Sequence, residues 1–491
     1  MICIPIVART TDAIAEEMWA AARIADLVEL RLDYAPSADL ERLLRNRPCP
    51  VIVTCRPVRQ GGCFEGPEGE RLGLLQRAVD LAAEYVDVEL DCVQRLRRGG
   101  RTRVIVSHHD FERTPPDLDG LHDSIVRSGA DVAKIACMIC DICDNLRLFR
   151  VLRRTHHPTI LLGMGELGLV SRILGRKFGN YLVYASLAPG KESAPGQVPA
   201  AELRDMYGYH RIGPGTAIYG LIGDPIAHSM SPAVMNAAFR HAGVDAVYVP
   251  FRVQRDVVGF VKAYREMDVS GYSVTIPHKE TVLPAMDDVD EVVKRVGALN
   301  TVMYRGGRLV GTNTDVPAAL AALENALGGD AGPGPRALDG RSVLIIGAGG
   351  AARAVAFGLA ERGAMIVIAN RTPERGRRLA EQIGARFCPL DRIADVRADI
   401  IVNTTSVGMH PAVNETPVPR VCLRPGAVVF DAVYNPMETR LLREARESGC
   451  KIVTGVEWFI RQAALQFELW TGLPAPREAM ERALRARLGN P

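Results

Sequence analysis

The sequence predicts an α/β protein, with an N-terminal (β/α)8 barrel followed by a two-lobed α/β unit whose C-terminal lobe has a Rossmann-type sheet. Three observations carry this prediction. Eight short apolar runs alternate with helical stretches in the first two hundred residues, a turn-rich break lies at 207–215, and a glycine-rich turn joins a strand to a helix at 347–353. The 491 residues are enough for several domains of about 100–200 residues each.

The composition is that of a globular chain, because 47% of the residues are hydrophobic, 24% are charged and 5% are aromatic. These values exclude wholesale disorder, collagen-like chains and coiled coils. The 60 basic and 57 acidic residues leave a net charge of +3, which makes no electrostatic case for a nucleic-acid partner. No run approaches the roughly 18 apolar residues of a membrane span. Eleven scattered cysteines, and an N-terminus without a signal or transit pattern, predict reduced thiols and a cytoplasmic location.

The apolar runs of the first half are nearly continuous, as in strands that are buried on both faces. They are Ile2–Ala8, Leu27–Leu32, Val51–Arg56, Tyr85–Asp91, Arg103–Asp110, Asp131–Ala136, Thr159–Gly165 and Tyr181–Leu187. Eight such β-α units predict a closed barrel, which we place at 1–207. An open doubly wound sheet is the alternative.

The second unit is predicted at 216–491. Its first lobe covers about 216–320 and its second lobe about 338–455, with C-terminal helices that return to the first lobe. A break rich in Gly and Pro at 328–335 separates the two lobes.

Polar side chains gather at the carboxyl ends of the barrel strands, where the chemistry of such barrels takes place. Lys134 interrupts the apolar run Asp131–Ala136, and alternation points it into the barrel. Desolvation favours its neutral amine, the form that attacks a carbonyl carbon. A salt bridge with Glu29 or Glu89 is the alternative. His109 is the candidate general acid or base, and a purely structural histidine is the alternative.

Three arginines, Arg31, Arg56 and Arg172, lie at or after separate runs and predict an anionic substrate, a carboxylate held by paired hydrogen bonds.

The C-x2-C-x2-C run that begins at Cys137 is similar to part of an iron–sulfur motif, but no fourth cysteine follows at the expected spacing. We therefore predict no metal site.

Five motifs of the first half follow one another in a recognisable order. They are Glu29-x-Arg31-x-Asp33, Ser107-x-His109-Asp110-Phe111, Lys134-Ile135-Ala136, Ser171-Arg172 and Ser193-Ala194-Pro195-Gly196-Gln197. Together they resemble type I 3-dehydroquinate dehydratase across essentially residues 1–205. The resemblance implies that Lys134 forms a Schiff base with a substrate ketone and that His109 removes a proton beside it.

The same resemblance implies substrate contacts from six side chains, Glu29, Arg31, Arg56, Arg172, Ser193 and Gln197. The chain departs from the family at one place. Where the family often has a glutamate before two glycines, this chain has Gln60. We expect the role of that glutamate to be dispensable or to be met by Glu65.

The apolar strand Ser342–Ile346 runs into a G-x-G-x-x-A turn that opens a helix. The turn consists of Gly347, Ala348, Gly349, Gly350, Ala351 and Ala352. Its glycines let the backbone approach a pyrophosphate, whose charge a helix N-terminus favours. The next strand ends at Asn370, where an NAD site usually has an acidic residue, and Arg371, Thr372 and Arg375 follow. Two cations and a hydroxyl suit a 2′-phosphate, so NADP is the predicted cofactor. Two arginines on an ordinary exposed helix are the alternative.

Polar motifs in the preceding lobe predict a cleft lined by hydroxyl, amide and amine groups, which suits a polyol. They are Gly223–Pro232, Gly271–Lys279, Gly297–Thr301 and Gly311–Asp315. These strings closely resemble shikimate dehydrogenase over roughly 216–491. The resemblance implies that Lys279 and Asp315 form the catalytic pair while hydride passes between NADPH and the ring carbonyl.

That resemblance also implies two sets of contacts. Shikimate would contact Ser229, Ser231, Thr275, Asn300, Asp315, Tyr434 and Gln462. The nicotinamide side would be formed by 403–409, Ala432 and Gly455. Ala432 stands where some members have a bulkier residue.

Together the resemblances imply a bifunctional enzyme of aromatic amino acid biosynthesis. It would dehydrate 3-dehydroquinate to 3-dehydroshikimate and then reduce that product to shikimate with NADPH. One alternative is a quinate-type dehydrogenase that uses NAD. The other is a non-catalytic barrel that only binds a ligand, for which Gln60 is the sequence support.

Overall fold

The structure, a computed structural model, describes residues 1–328 and 337–489. The predicted break at 328–335 falls, apart from Gly328, outside these residues. The chain forms two compact units. The first consists of Met1–Ile218 with the segments Asp245–Arg252 and Ala263–Asp268, and the second of the remaining residues. In the described part of the chain, no helix has both the length and the apolar character needed to cross a membrane.

An eight-stranded parallel sheet forms the body of the first unit, in the order β7-β6-β5-β4-β3-β2-β1-β8. Its strands are β1 Ile2–Ile6, β2 Leu27–Arg31, β3 Val51–Thr54, β4 Tyr85–Glu89, β5 Arg103–Asp110, β6 Val132–Met138, β7 Thr159–Met164 and β8 Val183–Tyr184. The intervening helices are α1 Thr11–Ala22, α2 Leu40–Arg45, α3 Glu68–Asp80, α4 Leu118–Arg127, α5 Asp144–Arg154 and α6 Leu169–Leu174. Each of the eight predicted runs matches one of these strands, although β6 extends two residues past the predicted end at Ala136, so the predicted barrel is confirmed.

The sheet closes at a seam between β7 and the segment that leads into β8, and the side chain of Asn180 bridges it. The backbone N–H of Tyr181 donates to the carbonyl of Thr159 at 2.8 Å. Asn180 Oδ1 accepts from the N–H of Leu161 at 2.8 Å, and its Nδ2 donates to the carbonyl of Leu182 at 2.7 Å. A side chain thus supplies hydrogen bonds that a full strand ladder would otherwise make, and the open sheet is ruled out.

Two six-stranded sheets follow the barrel along the chain. The sheet of the first predicted lobe is mixed, in the order β10-β9-β11-β13-β14-β12. Its strands are β9 Ala217–Gly223, β10 Ala246–Arg252, β11 Val269–Val274, β12 Asp288–Val289, β13 Thr301–Arg305 and β14 Arg308–Thr312. Helices of this part of the chain are α7 Ser231–His241, α8 Val257–Ala263, α9 Glu291–Val296 and α10 Asp315–Leu327. The last two helices of the chain, α14 Gly455–Thr471 and α15 Arg477–Arg487, pack against α7.

The second lobe is a doubly wound sheet, as predicted. Its strands are β15 Ser342–Ile346, β16 Met365–Ala369, β17 Arg386–Cys388, β18 Ile400–Asn403, β19 Val428–Asp431 and β20 Lys451–Val453. All pairs are parallel, in the order β17-β16-β15-β18-β19-β20. Its helices are α11 Gly350–Glu361, α12 Pro373–Gln382 and α13 Arg440–Glu447. Because the strand order reverses between β15 and β18, a crevice opens at their carboxyl ends, where such folds bind nucleotides.

The seam of the barrel yields a stability prediction. Asn180→Ala leaves the N–H of Leu161 and the carbonyl of Leu182 without their side-chain partners in a buried strand pair. We expect the free energy of opening of β7 to fall by about 2–4 kcal/mol. Native-state hydrogen exchange of the β7 amides other than Leu161 measures this loss. Asn46→Ala, at the exposed end of α2, is the control, and equal protection in the two variants would contradict the role of Asn180.

Candidate active sites

A cavity at the carboxyl ends of the barrel strands brings together all eight barrel residues that the sequence singles out. They are Glu29, Arg31, Arg56, His109, Lys134, Arg172, Ser193 and Gln197. Four of them, Glu29, Arg31, His109 and Lys134, extend from strands, whereas Arg56 follows β3, Arg172 lies on α6, and Ser193 and Gln197 lie in the loop after β8. Gln60 and Tyr184 line the same cavity.

Lys134 on β6 points into the barrel and is 5% exposed at its side chain. Its Nζ donates to Asp87 Oδ2 at 2.8 Å and to the Tyr184 hydroxyl at 3.0 Å. Glu29, one of the two carboxylates predicted as its partner, lies at 3.7 Å. The other, Glu89, is not its partner. Two arginines bind Glu89 instead, and Asp87, two residues deeper on β4, takes the lysine.

Asp87 is the centre of a buried polar network. Its Oδ1 lies 2.8 Å from Arg56 Nη2 and accepts from Ser107 Oγ at 2.6 Å. Burial alone would raise the pKa of the Asp87 carboxyl, but the charges of Arg56 and Lys134 hold that pKa below its ordinary value. The carboxylate therefore stays ionised and fixes the Lys134 amine at the floor of the cavity.

His109 lies at the end of β5 with its ring parallel to that of Phe111, at a centroid distance of 6.3 Å. Gln60 Oε1 accepts from the backbone N–H of His109 at 2.9 Å and lies 3.3 Å from its Nδ1. Burial lowers the pKa of His109 well below its ordinary value, and the charges of Arg56 and Lys134 lower it further. The imidazole is thus held neutral, as a general base needs to be.

Glu65 does not take the place of the glutamate that Gln60 replaces. It is exposed and lies outside the residues that line the cavity, whereas Gln60 directly contacts His109. The loop between β3 and α3 brings Gln60 inward because Gly61, at φ +73°, passes so close to Phe111 that a Cβ would lie 2.1 Å from its ring.

The arginines of the cavity differ in their partners. Arg31 makes two hydrogen bonds with Asp33, at 2.9 and 2.7 Å, and Arg56 binds Asp87 and Glu89. Arg172, which is 1% exposed, pairs with no carboxylate among the described residues.

The guanidinium of Arg172 donates instead to the carbonyls of Tyr184 and Pro195, at 3.1 and 3.4 Å. Its Nε is buried and has no hydrogen-bond partner in the described part of the chain. Burial lowers the pKa of Arg172 to about 10. A buried cation without an anion is costly, so this position favours an anionic ligand.

The loop after β8 covers the cavity and carries Ser193 and Gln197. The Gln197 amide closes the loop on itself, because Oε1 accepts from the backbone of Ser193 at 2.9 Å and Nε2 donates to Ser193 Oγ at 3.1 Å. Gly196, at φ +76°, lies against the end of β7, where a Cβ would meet the Gly165 carbonyl at 2.2 Å.

In the second unit, Lys279 and Asp315 form an ion pair with 2.5 Å between Nζ and Oδ2. Asp315 is the first residue of α10, and its side chain is 4% exposed against 16% for Lys279. Trp458 Nε1 on α14 donates to the Asp315 carbonyl at 3.2 Å. The contact with α14 therefore anchors the ion pair, and Lys279 is the more exposed of its two members.

An amide network extends from this pair. Asn300 Nδ2 donates to Thr314 Oγ1 at 2.9 Å and lies 3.4 Å from Gln462 Oε1. Gln466, one turn along α14, donates to the Asn300 carbonyl at 3.0 Å and accepts from Ser273 Oγ at 2.7 Å. Four of the predicted residues, Lys279, Asp315, Asn300 and Gln462, are thus held through contacts with α10 and α14.

The remaining predicted substrate contacts lie in half-buried turns. Ser229 Oγ accepts from the backbone N–H of Ser231 at the start of α7, at 3.3 Å, and Thr275 follows β11. Tyr434 packs against Phe459 at a centroid distance of 4.9 Å, with the two ring planes tilted by 43°. Burial raises the pKa of Tyr434, and a hydrogen bond from the Met230 backbone partly offsets this effect. Tyr434 therefore lies beside the Ser229–Ser231 turn, although no contact ties these residues directly to Lys279.

The glycine-rich turn after β15 has the geometry of a phosphate cradle. At Gly347, with φ +121°, a Cβ would lie 2.3 Å from Thr404 Oγ1, whereas a Cβ at Gly349 would meet no atom within 4 Å. Gly349 precedes α11 without a side-chain cap, so the amides of the first turn remain available to an anion. At Gly350 a Cβ would meet Lys279 Cδ at 2.9 Å, which places the turn directly beside the ion pair.

The residues after β16 form the rim of this crevice. Asn370 Nδ2 donates to the Thr372 carbonyl at 2.8 Å and so braces the turn. Arg371 and Arg375 are exposed, and among residues 1–328 and 337–489 neither has a carboxylate partner.

The other side of the crevice is formed after β18 and β19. Asn403 Nδ2 joins these strands by donating to Asp431 Oδ1 at 2.9 Å. Ala432 is half-buried behind them, and a Cβ on Gly455 would lie 2.2 Å from the Val433 carbonyl.

Three residues of the two sites escaped the sequence analysis. Asp87 could have been found, because it is a second acid two residues before Glu89 in a buried run. Tyr184 gives no such indication, since an aromatic residue is ordinary in a buried strand. Gln466 stands one helical turn after Gln462, which is a weak indication only. The Cys137 run offers no cluster, and within the described residues no group of three or more His, Cys, Asp or Glu side chains could hold a metal ion.

Comparisons with known proteins agree with this geometry. Residues 2–214 match the type I 3-dehydroquinase family. Residues 221–302 match the shikimate dehydrogenase substrate binding domain, 334–431 the shikimate/quinate 5-dehydrogenase family, and 455–485 the shikimate 5′-dehydrogenase C-terminal domain.

Two solved structures are similar to the second unit. Shikimate 5-dehydrogenase from Thermus thermophilus, in complex with NADP(H) and shikimate, is 37% identical with a TM-score of 0.50, over 55% of this chain and 100% of that one. Quinate dehydrogenase from Corynebacterium glutamicum, in complex with NAD, is 33% identical with a TM-score of 0.50, over 55% of this chain and 98% of that one.

One relative is similar over almost the whole sequence. The chain is 45% identical, over 97% of its own length and 83% of the relative's, to the chloroplastic bifunctional 3-dehydroquinate dehydratase/shikimate dehydrogenase of Arabidopsis thaliana. The chain therefore belongs to the family of bifunctional 3-dehydroquinate dehydratase/shikimate dehydrogenases.

Proposed function

We propose that residues 1–207 dehydrate 3-dehydroquinate to 3-dehydroshikimate and that residues 216–491 reduce this product to shikimate with NADPH. The observation that carries the proposal is the presence of two complete reaction sites in one chain. One combines a buried amine with an arginine that lacks an anion, and the other places an ion pair beside a dinucleotide turn.

In the dehydratase half, the substrate carboxylate binds Arg172, whose charge no protein carboxylate neutralises in the described part of the chain. Arg31 and Arg56 already have protein partners, so they shape the cavity and position neighbouring groups. The contact with Arg172 orients the substrate so that its ketone reaches Lys134 at the floor. Ser193 and Gln197 cover the site from the loop and hydrogen-bond the hydroxyl groups.

Lys134 forms an imine with the ketone, and the cationic imine then withdraws electrons from the adjacent carbon. His109 removes a proton from that carbon, since its neutral ring is ready to accept one. Gln60 Oε1 favours the tautomer with the proton on Nδ1, which leaves Nε2 as the base. Loss of the hydroxyl as water follows, with the protonated His109 as the acid, and hydrolysis of the imine frees Lys134.

In the dehydrogenase half, NADPH, when bound, would supply the hydride for the ring carbonyl. The residues that would hold it are the turn Gly347–Ala351, with Asn370, Thr372, Ala432 and Gly455 around the crevice. Lys279 donates a proton to the carbonyl oxygen as it becomes a hydroxyl, and Asp315 keeps the amine in place. Ser229, Ser231, Thr275, Asn300, Tyr434 and Gln462 bind the hydroxyl and carboxyl groups of the substrate.

Arg371 and Arg375 select NADP over NAD. Both are free of carboxylate partners in the described part of the chain. They follow Asn370, which stands where an NAD site usually has an acidic residue for the unphosphorylated ribose. A 2′-phosphate would give them the anion that they lack.

The eleven free thiols support action in a reducing compartment, which we propose to be the cytoplasm.

The function is tested with two matched lysine variants of the full chain. With 3-dehydroquinate and NADPH, the unmodified protein should form shikimate. Lys134→Met should form none but should still reduce added 3-dehydroshikimate, because only the amine of the barrel is lost. Lys279→Met should accumulate 3-dehydroshikimate. Chromatography of the products separates these cases, and a barrel that only binds its ligand would leave 3-dehydroquinate unchanged in all three proteins.

The lowered pKa of His109 predicts the pH dependence of dehydration. A base is active in its deprotonated form, so the rate should persist as the pH falls through about 6.5, the ordinary pKa of histidine, and should decline only below it. The measurement is the pH profile of kcat for dehydration. His108→Gln, on the same strand but outside the cavity, should leave the acid limb in place. An acid limb at or above pH 6.5 would count against His109 as the base.

Removal of the rim arginines tests cofactor selection. The double variant Arg371→Ala/Arg375→Ala should raise KM for NADPH tenfold or more, on the order of one lost charged hydrogen bond, while KM for NADH stays unchanged. Arg377→Ala is the control, since this arginine packs on Phe387 at 5.0 Å instead of facing the crevice as a free cation. Equal changes in KM for NADPH and NADH would show that Arg371 and Arg375 do not bind the 2′-phosphate.

A further inference from the structure

Tyr184 on β8 has a hydroxyl whose partner is the reacting nitrogen of the barrel. Its oxygen lies 3.0 Å from Lys134 Nζ, and its ring lies 4.2 Å from the same atom at the centroid. The side chain is buried and lines the cavity. The phenol is therefore in contact with both the amine and the space that a substrate ketone would fill.

The other groups near Nζ are less suited to move a proton to the substrate. Asp87 is ionised and already accepts from Ser107 while it pairs with Arg56. Glu29 lies farther away, at 3.7 Å, and accepts from Thr54 Oγ1 at 2.8 Å. Tyr184 is a neutral O–H group that can accept one proton and donate another at the same time.

We propose that Tyr184 is a catalytic residue of the dehydratase half that relays a proton between Lys134 Nζ and the substrate oxygen during formation of the imine. The proposal rests on the Schiff-base role of Lys134 and adds a residue to it. No ion of Tyr184 has to form, since it receives and gives a proton in one step.

The step balances as follows. The Lys134 lone pair forms the N–C bond, and the π electrons of the ketone move to oxygen. The new ammonium N–H passes its proton to the Tyr184 oxygen, while the Tyr184 O–H passes its own proton to the alkoxide. The product is a neutral carbinolamine, and Tyr184 is unchanged.

The environment of Tyr184 agrees with this role. Burial raises the pKa of its phenol well above the ordinary value, and the charge of Glu29 raises it further, so the hydroxyl is protonated at neutral pH. Its backbone is also held, since the carbonyl accepts from Arg172 Nη1 at 3.1 Å. The residue that would bind the substrate carboxylate thus also fixes the strand from which the relay acts.

The test is the rate of imine formation in Tyr184→Phe, which keeps the ring and removes the oxygen. The full chain is mixed with saturating 3-dehydroquinate and quenched with borohydride at millisecond intervals, and the reduced adduct is quantified by mass. We expect imine formation to slow by about tenfold or more, as is usual when a proton-transfer group is lost. The fraction of protein trapped at the end of the reaction measures how many sites are intact. Partial misfolding would lower this final fraction, whereas loss of the relay would lower the rate at which it is reached.

Tyr181→Phe is the matched control. It removes a hydroxyl from the segment that leads into the same strand, but that hydroxyl pairs with Tyr85 at 2.7 Å and lies outside the cavity lining. Both variants should reduce 3-dehydroshikimate at the unmodified rate.

Imine formation in Tyr184→Phe at the unmodified rate would overturn the relay, as would a defect that higher substrate concentration abolishes. Absence of any adduct in the unmodified protein would overturn the Schiff base itself and the relay with it.

Discussion

The barrel site depends on one buried carboxylate, that of Asp87. It holds Lys134 and Arg56 at once and accepts a hydrogen bond from Ser107, so it fixes groups on β5, on β6 and just after β3. Buried charges are stable only when they are paired and hydrogen-bonded, and removal of one member leaves the others uncompensated. The position of the Lys134 amine is therefore set by these ion pairs and hydrogen bonds inside the barrel. The strands determine only where each side chain leaves the backbone.

The same principle explains how a ligand is recognised. Most cations of the two sites are neutralised by the protein, as Arg31 is by Asp33 and Lys279 by Asp315. Those that are not neutralised in the described residues are Arg172 in the barrel and Arg371 and Arg375 in the second lobe. An uncompensated cation at a defined place is a binding site for a defined anion. In the function we propose, a substrate carboxylate and the 2′-phosphate of the cofactor would neutralise these remaining cations.

The two sites reach similar proton chemistry from different architectures. In the barrel, the lysine is an inward strand residue, and its environment is made by neighbouring strands. In the second unit, Lys279 follows a strand, and its partner Asp315 begins a helix that α14 anchors through Trp458. The second arrangement leaves the Lys279 side chain 16% exposed, and the glycine-rich turn lies directly against it at Gly350.

The sequence by itself determined the eight barrel strands and the doubly wound lobe, and it predicted the two candidate catalytic lysines. Strand periodicity, the glycine-rich turn and a lysine within an apolar run are local patterns that one segment of chain contains entirely. Only the tertiary structure decided the partners. The lysine binds Asp87 and Tyr184, Glu89 is taken by two arginines, Glu65 stays exposed, and Asn180 closes the seam. Such pairings depend on the register between strands and on which charged groups the fold brings within contact distance. Neither property can be predicted from a single segment of the chain.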